Sequence, residues 1–263
     1  MPEGDVLARL ARLLDRSLGR EELVRSELRW PGAGGVSFVG RAHLGTISYG
    51  KHLLTRFDDG RTLHTHMRMD GVWRARHTRT PPEGLRRPTV RTVLATPVWT
   101  CVGEQLGMLT VLRTAEEKRL LARLGPNLMA VGQDLEAALD LAAANFCRQR
   151  GRSVGEVLLD QTVAAGIGTI YLAETLWRHR ISPWRGVQQV PDPRAVYATA
   201  AALMRRSADA PMLTATGSRE RTTHVHGRDQ LACDRCGQQI AVAPIGPPGK
   251  ERPAFHCPTC QPD

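Results

Sequence analysis

The feature that most constrains this chain lies at its end. Cys233-Asp234-Arg235-Cys236 is followed, after twenty residues, by Cys257-Pro258-Thr259-Cys260. Two CxxC turns at this separation suit a tetrahedral four-thiolate zinc site, each pair gripping the ion from one turn. A redox dithiol is the competing reading. Four thiolates fill the coordination sphere, so such a zinc is architectural. Between the pairs, Gln239 to Ala243 and Pro253 to His256 read as two strands joined by Gly246-Pro247-Pro248-Gly249, with Arg252 near the tip. A hairpin this small has no core of its own, and the metal takes that role.

The remaining cysteines, Cys101 and Cys147, stand alone in apolar stretches and are expected to be buried thiols in a reducing compartment. No apolar run approaches the ~20 residues of a membrane span, and the N-terminus lacks a signal pattern. The expectation is a soluble, cytoplasmic protein. Thirty-six basic residues against 26 acidic ones leave a net charge of +10. That surplus suits a polyanion, most simply nucleic acid. Only Lys51, Lys118 and Lys250 are lysines. Genome composition explains the preference for arginine but not the excess over acids.

The chain's texture changes twice. Val6, Leu7, Leu10, Leu13, Leu14 and Leu18 form one face of a helix, with Asp5 as the expected N-cap. From about Glu27 to Leu112, short apolar stretches alternate with Gly, Pro and Asp: 36–39, 51–57, 61–66, 72–74, 90–94, 98–102 and 108–112. Asp59-Gly60 marks a hairpin, and many short strands predict a β-sandwich. His77 to Thr89 reads as an exposed basic loop. Helices follow at 115–124, 135–148, 153–160 with a Ser153/Glu156 capping box, 169–179, and from Asp192-Pro193 to about Ser207.

Gly125-Pro126 is the expected hinge, and Pro211 to Arg221 a mobile loop. The fold class is α+β and multidomain. Residues 1–114 form an N-terminal β-sandwich domain and 115–130 a linker helix and hinge. Residues 131–222 form a helical domain and 223–263 a zinc-finger hairpin.

Two segments carry possible chemistry. If Met1 is removed, Pro2 becomes a secondary amine, and an α-amino group titrating near ~8 leaves a useful neutral fraction at cellular pH. Attack on a sugar aldehyde gives an iminium, an electron sink for elimination, and Glu3 can move the protons. Ala164-Ala165-Gly166-Ile167-Gly168-Thr169 feeds a helix N-terminus. It reads either as a phosphate site of exposed amides or as a tight helix connection.

Pro2-Glu3-Gly4, Gly50-Lys51-His52-Leu53, Gly166-Ile167-Gly168-Thr169-Ile170-Tyr171 and the four-cysteine finger occur here in one order. Together they resemble the formamidopyrimidine-DNA glycosylase and endonuclease VIII family across essentially the whole chain. Pro-Glu-Gly-Asp and His66-Met67-Arg68-Met69-Asp70-Gly71-Val72-Trp73 are most similar to its actinobacterial endonuclease VIII branch.

The resemblance implies a helix-two-turn-helix fold for the helical domain and a bifunctional DNA glycosylase and abasic-site lyase of base excision repair. Pro2 attacks C1′ of a flipped-out nucleotide, Glu3 acts as acid and base, and β,δ-elimination follows. Lys51 matches a phosphate-contacting hairpin lysine of the catalytic site, and Arg252 the finger arginine. Tyr171 and Glu174 match structural positions of the turn motif. Met69 aligns with the wedge that fills the void left by a flipped base, flanked by Arg68 and Asp70.

Two departures stand out. Thr169 replaces a phosphate-binding Asn and has fewer donors. Gly103-Glu104-Gln105-Leu106-Gly107 lacks the Arg and Phe of formamidopyrimidine glycosylases, which favours oxidised pyrimidines over oxidised purines. The implied partner is damaged double-stranded DNA, with bubble or single-stranded DNA also open, bound by a monomer. Excision of oxidised purines (formamidopyrimidines or further oxidised guanine products) is the alternative within the same class, and a non-catalytic damaged-DNA-binding module is the alternative from another class.

Overall fold

Helix α1 (Gly4–Leu18) presents Leu7, Ala11, Leu14 and Leu18 at intervals of four, three and four residues, and all four are buried. The computed structural model describes residues 2–80 and 84–262, so Met1 and the middle of the expected basic loop lie outside the described residues. Two units divide the chain. Among the described residues, Val6–Ala122 groups with Pro2, and Glu3–Asp5 groups with the chain from Arg123 onward.

The first unit holds eight strands among its described residues: β1 (Arg25–Leu28), β2 (His43–Tyr49), β3 (His52–Phe57), β4 (Arg61–His66), β5 (Val72–His77), β6 (Val90–Ala95), β7 (Trp99–Glu104) and β8 (Met108–Arg113). They form two antiparallel sheets, ordered β1-β6-β7-β5 and β2-β3-β4-β8. Leu53, Phe57, Leu63 and Leu109 from one sheet share a core with Trp73, Leu94 and Cys101 from the other, and α1 joins them. Each fully buried Leu or Phe contributes ~1.5–3 kcal/mol. The sandwich is therefore as the strand pattern predicts. Asp59 turns the β3–β4 hairpin by accepting from Arg61 N at 3.1 Å, beside Gly60 at φ +74°.

Three sequence expectations change. β1 is a polar four-residue edge strand, and the β2 pairing shifts register at Gly45, which breaks the alternation a strand search relies on. Residues 36–39 form no strand. Phe38 instead plugs the core, stacked 4.0 Å from Phe57. Asp5 is not an N-cap, because it lies inside the first turn of α1.

Helix α2 (Glu117–Leu121) closes the first unit. The second holds α3 (Gln133–Cys147), α4 (Val154–Leu159), α5 (Thr169–His179), α6 (Pro193–Asp209) and the hairpin of β9 (Ala241–Ile245) and β10 (Arg252–His256). Ser153 and Glu156 form both halves of the capping box, and Asp192 accepts from Ala195 N with Pro193 opening α6. Phe146, Leu158, Ile167, Leu172, Leu176 and Tyr197 fill the core. Cys147 is exposed, contrary to expectation, because Phe146 takes the inward position at the end of α3. The units part between Ala122 and Arg123. Gly125 packs within the second, where a Cβ would come 2.4 Å from the Val163 carbonyl carbon. Among the described residues no helix is long and apolar enough to cross a membrane.

Candidate functional site

Glu3 sits just ahead of α1, yet its carboxylate caps a different helix. Its Oε2 accepts from Gly168 N at 2.6 Å and from Tyr171 N at 3.4 Å, and its Oε1 accepts from Ile170 N at 2.8 Å. The side chain is 1% exposed. A negative charge at a helix N-terminus gains ~0.3–1 kcal/mol when exposed and up to ~2 when partly buried. The amides that the glycine turn was expected to offer a phosphate are thus taken by Glu3. Gly168 is required here, because a Cβ would lie 2.4 Å from Glu3 Cδ. Gly4 N donates to Gly166 O at 3.0 Å, and a Cβ on Gly4 would come 3.1 Å from the Met204 sulfur. Pro2 is half-buried and one peptide bond away.

Asp5 is fully buried and accepts through Oδ2 from Tyr171 Oη and from Ser207 Oγ, both at 2.7 Å. Burial and then the Asp5 carboxylate push the Tyr171 hydroxyl well above its usual range, so it remains a donor.

A third buried carboxylate, on α5 itself, gathers the 224–226 segment. Glu174 accepts from His224 N, Val225 N and His226 N at 2.8–3.0 Å. Trp177 stacks on His224 at 4.2 Å, lies 3.8 Å from the Arg235 guanidinium, and points Nε1 at Cys233 Sγ, 3.5 Å away. Thr169 Oγ1 lies 3.4 Å from His226 Nε2, and burial pushes that imidazole down to about 4.

Cys233, Cys236, Cys257 and Cys260 place all four sulfurs within 4.8 Å of one another. Tetrahedral bonds of ~2.3 Å from one ion set sulfurs ~3.8 Å apart, so the four thiols can hold one metal ion. Arg235 N and Cys260 N point at the Cys233 and Cys257 sulfurs at 3.5 and 3.4 Å. Such N–H groups steady thiolate charge. On the same hairpin, exposed Arg252 pairs in register with Ile245. With Arg152, Glu156, Asp160 and Lys250 it lines a cleft of about 220 Å³.

In the first unit, Gly50-Lys51 makes the two-residue turn between Tyr49 and His52, with Gly50 at φ +53°, and Lys51 is 8% exposed. His52 Nδ1 lies 2.8 Å from His64 Nε2, and the His52 and His66 rings meet edge-on at 4.9 Å. Burial, then His52 and His66, bring His64 down to about 4. Burial, then His52 and Lys51, do the same to His66. Neutral imidazoles therefore flank the lysine turn. Farther on, Arg68 has φ +53° and packs against Gly107, where a Cβ would meet Arg68 Cγ at 2.4 Å. Its neighbour Met69 is 53% exposed, whereas Met67 is buried. Glu104 pairs with Arg74 at 2.8 Å.

Sequence reasoning missed the roles of Asp5, His226, Trp177 and the three histidines. His64 and His66, two apart on one strand, were the available signal. The others depend on contacts distant in the chain.

An N-terminal helix and β-sandwich, a helical unit and a four-cysteine hairpin define a class. The formamidopyrimidine-DNA glycosylase N-terminal domain matches residues 1–105, and the H2TH domain of the same family matches residues 131–215. The chain is 40% identical to "Probable endonuclease 8 2" of Streptomyces coelicolor, over 99% of this chain and 94% of that protein. It is 33% identical to "DNA-(apurinic or apyrimidinic site) lyase Nei2" of Mycolicibacterium smegmatis, over 99% of both. The fold matches that of Lactococcus lactis Fpg in complex with DNA containing an oxidised pyrimidine, with a TM-score of 0.81, 20% identity and 100% coverage of both chains. The chain belongs to the formamidopyrimidine-DNA glycosylase family.

Proposed function

We propose that the chain is a bifunctional DNA glycosylase and abasic-site lyase of base excision repair that removes oxidised pyrimidines through Pro2. The observation that carries this reading is the clamping of Glu3 by three amides around the start of α5, which anchors the residue next to Pro2. A nucleophile needs a fixed approach, and this one is one peptide bond from a carboxylate with no freedom to drift.

With Met1 removed, the Pro2 nitrogen attacks C1′ of the extruded nucleotide, and the base departs with its glycosidic electron pair and a proton. Glu3 handles the protons as the sugar ring opens. The resulting iminium withdraws electrons from C2′. Loss of a C2′ proton expels the 3′ phosphate, and a second elimination expels the 5′ phosphate.

Lys51, Thr169 and Arg252 contact the flanking phosphates, and Lys51 supports catalysis by fixing the sugar. Met69 enters the vacated stack with Arg68 beside it, and the positive φ of Arg68 is the strain that holds this tip out. Zinc at the four cysteines holds the hairpin in shape and takes no part in the chemistry. The protein acts as a monomer on damaged duplex. Glu104, engaged with Arg74, replaces a cationic reader of oxidised purines and supports the pyrimidine preference.

A lesion panel tests the substrate. Duplexes carrying 5-hydroxyuracil or thymine glycol should be cleaved faster than one carrying 8-oxoguanine. The reverse order would remove the pyrimidine assignment and leave the lyase chemistry standing.

A further inference from the structure

Asp5 is a costly residue to keep. Its carboxylate is fully buried, Oδ2 takes two hydroxyl donors, and Oδ1 has no hydrogen-bond partner among the described residues. A buried acceptor left unpaired forfeits its hydration without compensation, and more so when it is charged. An apolar side chain of similar volume would avoid that cost, so the benefit of Asp5 lies in what it holds in place.

Its second donor leads away from the N-terminus. Ser207, itself fully buried near the end of α6, donates Oγ to Asp5 and accepts Thr214 N at 3.2 Å on the same oxygen. Thr214 is the foot of the 211–222 loop. Its Oγ1 accepts from Gly217 N at 2.9 Å and donates to Ser218 O at 3.0 Å, while Ala215 N donates to Thr222 O at 2.8 Å. Thr214 and Ala215 are buried, and Arg219, Glu220 and Arg221 at the tip are exposed. One hydroxyl thus joins the first turn of α1 to the foot of an exposed loop some 200 residues later in the chain.

We infer that Asp5 is a positioning residue which, through Ser207, couples the placement of the 211–222 loop to that of Pro2 and Glu3. The inference rests on the proposed role of Pro2. Glu3 fixes the N-terminal segment against α5, and Asp5 fixes it against α6 and the loop. A shift of the loop foot draws on Ser207, which releases or tightens Asp5 and moves the segment carrying the amine. Coupling of this kind is reciprocal.

Three variants test it. Ser207→Ala breaks the relay at a residue distant in sequence from the chemistry. Asp5→Ala removes its N-terminal end. Asp5→Asn keeps a carbonyl oxygen for both hydroxyl donors. In single-turnover borohydride trapping on DNA with a preformed abasic site, Ser207→Ala should slow adduct formation about tenfold at saturating DNA, with half-saturation unchanged. Asp5→Ala/Ser207→Ala should be no slower than Asp5→Ala, because the two residues act as one unit. Asp5→Asn should recover most of the rate.

Independently of activity, hydrogen exchange in the 211–223 peptide should accelerate in Asp5→Ala. Unchanged exchange there, or an adduct rate in Ser207→Ala within about twofold of wild type, overturns the coupling. If Asp5→Ala does not fold, the exchange of Ser207→Ala and the rescue by Asp5→Asn decide the matter. If wild-type protein forms no adduct, the Pro2 reading fails, and the exchange data still report whether Asp5 holds the loop.

Discussion

Glu3 and Gly168 lie 165 residues apart and are joined by a 2.6 Å hydrogen bond in which the Gly168 amide donates to the Glu3 carboxylate. The contact needs a residue with no side chain. Gly168→Ala places a methyl group 2.4 Å from Glu3 Cδ, against a carboxylate held by three amides. Strand cleavage at abasic sites is expected to fall by roughly a hundredfold, the scale of a ~1 Å misplacement. Circular dichroism should show the fold retained. Activity within a few-fold of wild type would mean that Glu3 tolerates displacement.

Lys51 and Arg252 are predicted to contact phosphates rather than bases. Lys51→Ala and Arg252→Ala should each weaken duplex binding for all sequences alike and reduce the slope of log affinity against log salt by about 1. Titrations at several salt concentrations check this. An unchanged slope in either variant removes that residue from the phosphate-binding set.

The histidines predict acid sensitivity. His64, His66 and His226 are held down to about 4 in the folded protein, each chiefly by burial. Their unfolded counterparts titrate near ~6.5, so between about pH 4 and 6.5 the unfolded chain binds more protons. Stability should be fully present above pH 6.5 and lost as pH falls towards 4, by on the order of 1 kcal/mol per pH unit per histidine. Melting temperature measured from pH 7.5 to 4.5 should fall, and less steeply in His64→Gln. A flat profile would contradict the burial of these rings.

The four cysteines should bind one zinc per chain. Chelation, or Cys233→Ser, should release the hairpin, disturb the Trp177–His224–Arg235 stack and lower DNA affinity. Metal analysis and fluorescence of the chelated protein check both. Zinc-free protein with unaltered DNA binding would separate the hairpin from the interface.

Much of this fold is legible in the sequence because its signals are local. The Ser153/Glu156 box, the Asp192-Pro193 start, Asp59-Gly60 and the paired CxxC turns each encode their own geometry within a few residues. β1 and β2 were not legible, since one is polar and the other is interrupted at Gly45. Asp5 shows the limit for the site. Locally it has the chemistry of an N-cap, and only the fold reveals that its partners are Tyr171 and Ser207. The glycine turn is similar, because a sequence cannot show that Glu3 already occupies the amides of α5.

The central claim concerns Pro2, and covalent trapping reaches it most directly. Protein with a confirmed Pro2 N-terminus, incubated with abasic-site DNA and borohydride, should yield a stable adduct that peptide mass spectrometry locates on Pro2. The same protein retaining Met1 should yield none. An adduct on a lysine, or equal trapping with Met1 retained, would contradict the account.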